Sequence, residues 1–219
     1  MPVMQEIRQE YQIRVVQDLA EFHTLEAEWN MLTRSYKYHV PFLCYDWFST
    51  WLRHFLKEDK LFILLVYKED HLSAIASFII KTEKFKGIVN TRKIELIGNV
   101  HSPIRNFVFG ELKKSRMDLL LKLFDFFKSD YTEWDILELD SIPEEFDSFR
   151  VIRNAVDLIG FKNREYFCFN DWVLDEISYS SDEYISRQPR NLKKEIGKRK
   201  RRLERRGDLR FEIERDEKN

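Results

Sequence analysis

The chain has 219 residues, 43% of them hydrophobic and 15% aromatic, so it can bury a substantial core. The low counts of Gly (6) and Pro (5) exclude a low-complexity chain. No run approaches the roughly 20 apolar residues of a transmembrane helix. The formal net charge of −1 is unevenly distributed. Residues 187–206 carry a local charge of +9, which leaves −10 on the rest of the chain.

The N-terminus and the two cysteines indicate the cellular compartment of the protein. The N-terminus contains acidic residues and no apolar h-region, so it does not resemble a secretion signal. Cys44 and Cys168 lie far apart and suggest neither a metal site nor a disulfide framework, so we expect two buried thiols. The sequence therefore favours a soluble cytoplasmic protein.

The first third of the chain predicts one strand and two helices. Alternating β-branched residues indicate a strand over Tyr11–Leu19, and Asp18 is a suitable N-cap for the helix that follows. The apolar positions of this helix recur at steps of three and four: Leu19, Phe22, Leu25, Trp29 and Leu32. After a break at Pro41, a second helix places Trp47, Trp51 and Phe55 four residues apart on one face.

The middle of the chain predicts mainly strands. Residues 60–84 form two strands joined by a tight polar turn at Lys68–His71, and Thr91–Gly98 is a further strand. A loop then leads to a helix over 115–130 that Ser115 can cap. Residues 134–142 form a strand closed by Pro143.

Helices and strands continue to the end of the chain. We expect a helix over 144–161 with Gly160 just past its end, followed by a strand over 162–174. Ser180 or Ser181 caps a short helix, and Pro189 separates it from a long basic helix that stops at Gly207. Residues 209–215 predict a last strand. The whole order is β-α-α-β-β-β-α-β-α-β up to Leu174, which indicates an α/β fold with a mixed sheet.

This order resembles the GCN5-related N-acetyltransferase (GNAT) fold. The local sequence narrows the resemblance through "LAEFHTLEAEWNMLTRS", "PFLCYDWFSTWLRHF" and "FILLVYKEDHLSAIASFII". These stretches look like the N-terminal half of the acyltransferases associated with cellulose and exopolysaccharide biosynthesis (CelD-type). Those proteins are similar to FemAB-like transferases in carrying two GNAT-like halves, and the resemblance covers about residues 15–211.

The resemblance implies two domains. Residues 1–178 would be a GNAT-like N-terminal domain, and residues 179–219 the basic helix and first strand of a second GNAT-like domain whose remainder is missing. GNAT enzymes hold the acyl-CoA pyrophosphate on an Arg/Gln-x-x-Gly-x-Gly/Ala loop, where glycine lets the backbone approach phosphate. Here Gly98 and Gly110 are twelve residues apart and no such motif exists. We therefore expect the missing half to bind acetyl-CoA or another acyl-CoA, and this half to shape the acceptor cleft.

The basic segment has three interpretations. As a solvated helix it presents a thin apolar stripe of Leu192, Ile196 and Leu203, and its charges face water. As an acceptor-binding element it uses Arg190, Asn191 and Lys194 near its start, where guanidinium and N–H groups suit phosphate or sugar-acid oxygens. FemAB-like relatives use the corresponding helix start near a phosphorylated or glycan acceptor.

As a nucleic-acid or acidic-membrane element, residues 187–206 would neutralise several phosphates. The segment lacks a leucine heptad, a neighbouring helix-turn-helix pattern and zinc ligands, so DNA is not favoured. The acidic remainder of the chain offers a further alternative, a scaffold that packs on its own basic helix. In that case, reversing the charges of Arg199, Arg201 and Arg202 would destabilise the fold.

No residue of the chain is predicted to be catalytic and none to bind metal. Glu138 and Asp140 share one strand face and could serve as an acid–base pair, but a solvated edge or salt bridges to Arg or Lys are favoured for them. His101 is a candidate base in a loop, although a lone loop histidine usually has no catalytic role. Trp47 and Trp51 could stack on a sugar; core packing is favoured, and only Trp47 is kept as an acceptor-binding candidate.

These features predict an acyltransferase that acts on a glycan or sugar-nucleotide type acceptor in polysaccharide or cellulose biosynthesis. This chain would be the half that does not bind CoA and would be inactive alone. The alternative is a non-enzymatic module that binds nucleic acid or an acidic membrane through residues 187–206.

Overall fold

The computed structural model describes residues 2–36, 40–85, 87–110, 116–170 and 180–207. The chain divides into two compact units, Met1–Phe169 and Asn170–Asn219. The first unit contains the strands β1 (Tyr11–Val16), β2 (Lys60–Lys68), β3 (His71–Phe85), β4 (Val89–Leu96), β5 (Val108–Phe109) and β6 (Ile136–Glu138). Its α-helices are α1 (Pro2–Glu10), α2 (Leu19–His23), α3 (Glu26–Ser35), α4 (Tyr45–Phe55), α5 (Arg116–Ser129) and α6 (Asp147–Ile159), with a 3-10 turn at Pro41–Leu43.

The strands form one mixed sheet in the order β1-β2-β3-β4-β6. The first four strands pair antiparallel with their neighbours, whereas β6 pairs parallel to β4. The short β5 pairs with the start of β3, at Ala74 and Ile75. The predicted α/β fold with a mixed sheet is therefore confirmed, but β5 lies in the stretch that was predicted to be a loop.

Both faces of the central strands are buried. Phe62 and Phe78 lie opposite each other on one face and contact Phe127 of α5. On the other face Ile63 and Ile79 are fully buried, and α3 packs against β3. Burial on both sides explains why β2 is an almost continuous apolar run rather than an alternating one.

Several local predictions are confirmed. The Asp18 carboxylate accepts hydrogen bonds from the backbone N–H groups of Ala20 and Glu21, as an N-cap should. The turn between β2 and β3 consists of Glu69 and Asp70, both with positive φ. Gly160 ends α6 in the left-handed conformation, with φ of 80°.

Other local predictions are wrong. The single helix expected from Leu19 to Leu32 is two helices, because the backbone bonds at Thr24 and Leu25 tighten to an i→i−3 spacing. Residues 161–170 form neither helix nor strand, although a strand was predicted over 162–174. Its last residues, like Ser115 and the strand over 209–215, lie outside the described residues.

The second unit contains two described helices, α7 (Ser181–Arg187) and α8 (Arg190–Glu204). The Ser180 hydroxyl accepts a hydrogen bond from the Glu183 N–H and caps α7, as predicted. Pro189 separates the helices, also as predicted, and α8 ends at Glu204, three residues before Gly207. Neither helix has a buried residue.

Candidate functional site

The pairing of the two parallel strands stops between two loops, and we call this position the crevice. Pairing between β4 and β6 runs only from Lys93–Ile136 to Glu95–Glu138 and then stops. The loops that follow both strands, residues 97–107 and 139–146, meet beyond this point. In sheets with parallel strands, ligands commonly bind outside such carboxyl ends. This crevice is the candidate functional site of the first unit.

An ion pair crosses the crevice. The Arg105 Nη1 donates to Asp140 Oδ1 at 2.5 Å, and the Arg105 backbone N–H donates to the Ser141 carbonyl at 3.0 Å. The two side chains are 12% and 22% exposed. The Arg105 Nε is buried and has no hydrogen-bond partner among the described residues. The pair therefore ties the two loops together and occupies the space between them.

Backbone geometry makes room for this pair. A Cβ on Gly98 would overlap the Arg105 side chain, with its Cδ only 2.9 Å away. Ser141 has a φ of +57°, which places it in the left-handed region that disfavours residues with a Cβ. Burial raises the pKa of the Asp140 carboxyl, and the positive charge of Arg105 only partly opposes this effect.

A row of paired charges lies beside the crevice on one sheet face. Glu95, whose side chain is only 10% exposed, accepts from Lys81 at 2.5 Å and from Lys93 at 2.9 Å. Burial raises the pKa of Glu95, but the hydrogen bonds from the two lysines outweigh burial, and the net shift is downward. Lys93 also pairs with Glu138. Burial lowers the pKa of Lys93, but its bonds to Glu138 and Glu95 outweigh burial and raise it.

The two carboxylates singled out in the sequence therefore have separate partners. Glu138 binds Lys93 and accepts a hydrogen bond from the Tyr166 hydroxyl at 2.8 Å, while Asp140 binds Arg105. Burial, followed by the hydrogen bond to Glu138, raises the pKa of Tyr166. The favoured salt-bridge interpretation of Glu138 and Asp140 is confirmed. This arrangement can fix loops and strands, and it offers no free carboxylate as a base.

Trp47 lies next to the loop that carries Arg105. Its Nε1 donates to the buried Ser102 hydroxyl at 3.1 Å, and its ring meets Phe42 edge to face at 4.8 Å. Trp47 is half-buried, so it packs partly into the fold and keeps one side accessible. Trp51 is buried in the core, but Phe55 is 40% exposed. The helix with its four-residue steps is therefore confirmed, and so is core packing for Trp51, but the buried side chains of α4 are Tyr45, Phe48, Trp51 and Leu52.

The loop histidine and both cysteines lie at the surface. His101 is exposed, with its backbone N–H bound to Asn99 Oδ1 and its ring 6.2 Å from that of Phe55. Neither contact activates the imidazole as a base. Cys44 and Cys168 are both exposed, so the prediction of buried thiols is wrong.

The three candidates on the basic helix lie together in the second unit. Arg190, Asn191 and Lys194 are exposed within the first five residues of α8. Within residues 180–207, none of their side chains has a hydrogen-bond or ion-pair partner. Arg190 and Lys194 are four residues apart and so share one helix face. Their role as acceptor ligands stays a prediction.

Sequence reasoning singled out Asp140 but missed its partner across the crevice, Arg105. Arg105 and Asp140 are 35 residues apart, and no local periodicity joins them. Gly98 was considered only as part of a phosphate loop. A glycine directly after a strand, with an arginine in the loop that follows, was the one available signal for a close approach of a side chain to the backbone.

Metal ligands and membrane spans were sought across the described ranges. No group of three or more His, Cys, Asp or Glu side chains in them could hold a metal ion. None of the helices in the described part of the chain is both long and apolar enough to cross a membrane.

No family model and no curated protein matches the chain. Solved structures similar to it include an aminoglycoside N-acetyltransferase in complex with CoA, at 15% identity and a TM-score of 0.44, which covers 74% of this chain and 94% of that one. A GNAT-family acetyltransferase from Staphylococcus aureus has 13% identity and a TM-score of 0.44, with 74% and 99% covered. An aminoglycoside acetyltransferase from an uncultured soil metagenomic sample, in complex with trehalose, has 13% identity and a TM-score of 0.45, with 77% and 99% covered.

Proposed function

We propose that this chain is the N-terminal half, the half that does not bind CoA, of a GNAT-type acyltransferase of the CelD-type, FemAB-like group. Its substrate would be a glycan or sugar-nucleotide type acceptor in polysaccharide or cellulose biosynthesis. The first GNAT-like domain would comprise residues 1–178, and residues 179–219 would begin the second. Acetyl-CoA or another acyl-CoA would bind to that second half, in the same polypeptide.

The observation that carries the proposal is the ion pair across the crevice. Arg105 and Asp140 occupy the gap beyond the last β4–β6 pair, and the Arg105 N–H bond to Ser141 holds the loops together. A thioester arm could not enter there without breaking a half-buried pair of charges. The loop after β4 also lacks the glycine pattern that brings backbone N–H groups to a pyrophosphate.

In this proposal the first unit supports the acceptor cleft. Trp47, whose Nε1 donates to the Ser102 hydroxyl, is the acceptor-binding candidate of this unit. Arg190, Asn191 and Lys194 are the candidates of the second unit, where they would supply charged and polar donors. The complete enzyme would hold an acceptor amine or hydroxyl near the thioester carbonyl, where proximity lowers the barrier and a base or water takes the proton. No residue of this chain is assigned to that proton transfer.

Equilibrium binding of acetyl-CoA tests the proposal. We expect no saturable binding to this chain by calorimetry, and saturable binding together with acyl transfer to a glycan acceptor in a polypeptide that extends into a second GNAT-like half. The double variant Arg105→Ala/Asp140→Ala lacks the ion pair and serves as the internal control for whether the pair itself keeps acetyl-CoA out of the crevice. Saturable binding of acetyl-CoA to the unaltered chain would show that the proposed division of labour is wrong.

A second candidate function rests on the exposure of α8. This helix and the two residues that follow it carry ten Lys or Arg, and no residue of the helix is buried. A non-enzymatic module could use this charge to bind nucleic acid or an acidic membrane. A steep loss of duplex DNA affinity with salt, in a full polypeptide that does not bind acyl-CoA, would favour this candidate.

A further inference from the structure

The basic residues of α8 form a continuous row along one face. Arg190, Lys194, Lys198, Arg201 and Arg205 follow one another at steps of four, four, three and four residues. In an α-helix these steps place successive side chains one above the other. We call these five residues the basic row. At 1.5 Å per residue the row extends for about 22 Å.

The opposite face of α8 is apolar. Leu192, Ile196 and Leu203 also follow helical spacing, but they project from the other side of the helix. Leu192 and Leu203 are 45% and 49% exposed. The basic row therefore lies opposite a thin apolar stripe, and Lys193, Arg199 and Lys200 lie on the flanks of that stripe.

The row is largely free to bind an anion. Within residues 180–207, the side chains of Arg190, Lys194, Arg201 and Arg205 have no hydrogen-bond or ion-pair partner. Lys198 lies 3.7 Å from Glu195, and Arg199, which is outside the row, lies 3.9 Å from the same carboxylate. Exposed ion pairs of this length contribute little to stability, so Lys198 can exchange Glu195 for a bound anion.

The chemistry of the helix selects the kind of polyanion. Single-stranded nucleic acid requires aromatic side chains on which its bases stack, and α8 contains none. An interfacial membrane helix requires a broad apolar face with aromatic anchors, whereas α8 offers three aliphatic residues. Helix-turn-helix readers of duplex DNA add a second helix on the phosphate backbone, but the neighbouring α7 carries Asp182 and Glu183 in its first turn.

We propose that the basic row binds a linear acidic polysaccharide, whose carboxylates lie along the helix axis. This inference rests on the proposed function, because it names the acceptor class of the same surface. Guanidinium groups can pair with carboxylates through two parallel hydrogen bonds, and a row of basic groups can hold a polysaccharide along the helix axis. Arg190 and Lys194 are then the first two positions of a longer track.

Two matched triple variants test the role of the row. Arg190→Gln/Lys194→Gln/Arg201→Gln removes three charges from the row, while Lys193→Gln/Arg199→Gln/Lys200→Gln removes three charges from the flanks of the apolar face. Glutamine forms helix well, so circular dichroism should show equal helix content in both. The probe is a polygalacturonate oligomer, measured by calorimetry on the full chain at low and moderate salt.

We expect the row variant to lose affinity for polygalacturonate by about tenfold or more, because about half of its charge contacts are lost, and the flank variant to lose much less. Equal losses in both variants would overturn the proposal, as would absence of saturable binding. Tighter binding of a duplex DNA or of anionic phosphatidylserine vesicles at the same salt would equally overturn it. A neutral glucan should not bind.

The outcome can be separated from that of the proposed function. Row-dependent binding of polygalacturonate in a full polypeptide without acyl transfer would refute the enzyme and keep the binding surface. Acyl transfer that is unaffected by the row variant would refute the binding surface and keep the enzyme.

Discussion

At the residue scale, the absence of a side chain at Gly98 lets Arg105 reach Asp140. Three features depend on one another here: the open space above Gly98, the left-handed Ser141 and the ion pair between the loops. The pair is only partly exposed, so its geometry is enforced by surrounding structure and not by the attraction of two solvated charges.

Gly98→Ala should break this arrangement, because the new methyl group overlaps the Arg105 side chain. We expect a loss of about 1–3 kcal/mol in the free energy of unfolding, measured by urea denaturation. Gly197→Ala is the control, since nothing lies within 4 Å of a Cβ there and α8 has no buried residue, so the unfolding free energy of the first unit should not change.

The loss of stability in Gly98→Ala should also depend on the presence of the Arg105 side chain. The overlap is absent from the double variant Gly98→Ala/Arg105→Ala. Its loss in the free energy of unfolding should therefore be smaller than the sum of the two single losses. Strict additivity, or a Gly98→Ala variant as stable as the unaltered chain, would contradict this account of the crevice.

At the element scale, local capping and long-range pairing hold the helices on the sheet. Asp18 caps α2 through two backbone bonds of 2.8 and 3.0 Å. Asp18→Ala should therefore cost about 1 kcal/mol and lower the melting temperature by about 2–4 °C. Asp18→Ser preserves the acceptor and should remain within about 1 °C of the unaltered chain. A loss of equal size in both variants would show that the cap bonds do not stabilise α2.

The first and fifth helices are joined by a two-point ion pair. Arg8 donates to both carboxylate oxygens of Asp125, at 2.5 and 2.7 Å, and the Asp125 side chain is 9% exposed. The hydrogen bonds from Arg8 lower the pKa of Asp125 below its ordinary value of about 3.9. Because the lowered pKa belongs to the folded state, this stabilisation is present above about pH 4 and is lost as pH falls through the folded pKa.

The variant Asp125→Asn tests the direction of this pH dependence. The stability difference between the unaltered chain and the variant should be largest near neutral pH and shrink toward zero as pH falls below about 4. Denaturation at a series of pH values measures it, and Arg8→Gln should reproduce the same profile. A difference that stays constant from neutral to strongly acidic pH would contradict the role of the pair.

At the scale of the whole molecule, the core and the basic helix belong to different units. The buried hydrophobic residues of the described chain lie between Ile7 and Ile159, and α7 and α8 contain no buried residue. Because core burial supplies most of the stabilisation, we expect the first unit to fold without the second.

A chain that ends after Asn170 should therefore melt within about 2 °C of the full chain. Thermal unfolding followed by near-ultraviolet circular dichroism reports on the aromatic core of the first unit. A large drop in melting temperature would instead support the scaffold alternative, in which the acidic unit depends on the basic helix for stability. Charge reversal of Arg199, Arg201 and Arg202 in the full chain should then have the same effect.

Local sequence was sufficient where local interactions decide the structure. The turn after Lys68, the Asp18 cap, the left-handed Gly160 and the break at Pro189 each depend on residues within a few positions of one another.

Sequence by itself determined the order of most helices and strands, the mixed α/β character and the basic face of α8, because these depend on backbone periodicity and on residues near in the chain. Only the tertiary structure decided that β5 joins β3, that Trp47 binds Ser102 and that Arg105 crosses to Asp140. These partners are 33 to 55 residues apart. Their meeting depends on which strands pair and where the strands stop, and no spacing along the chain encodes it.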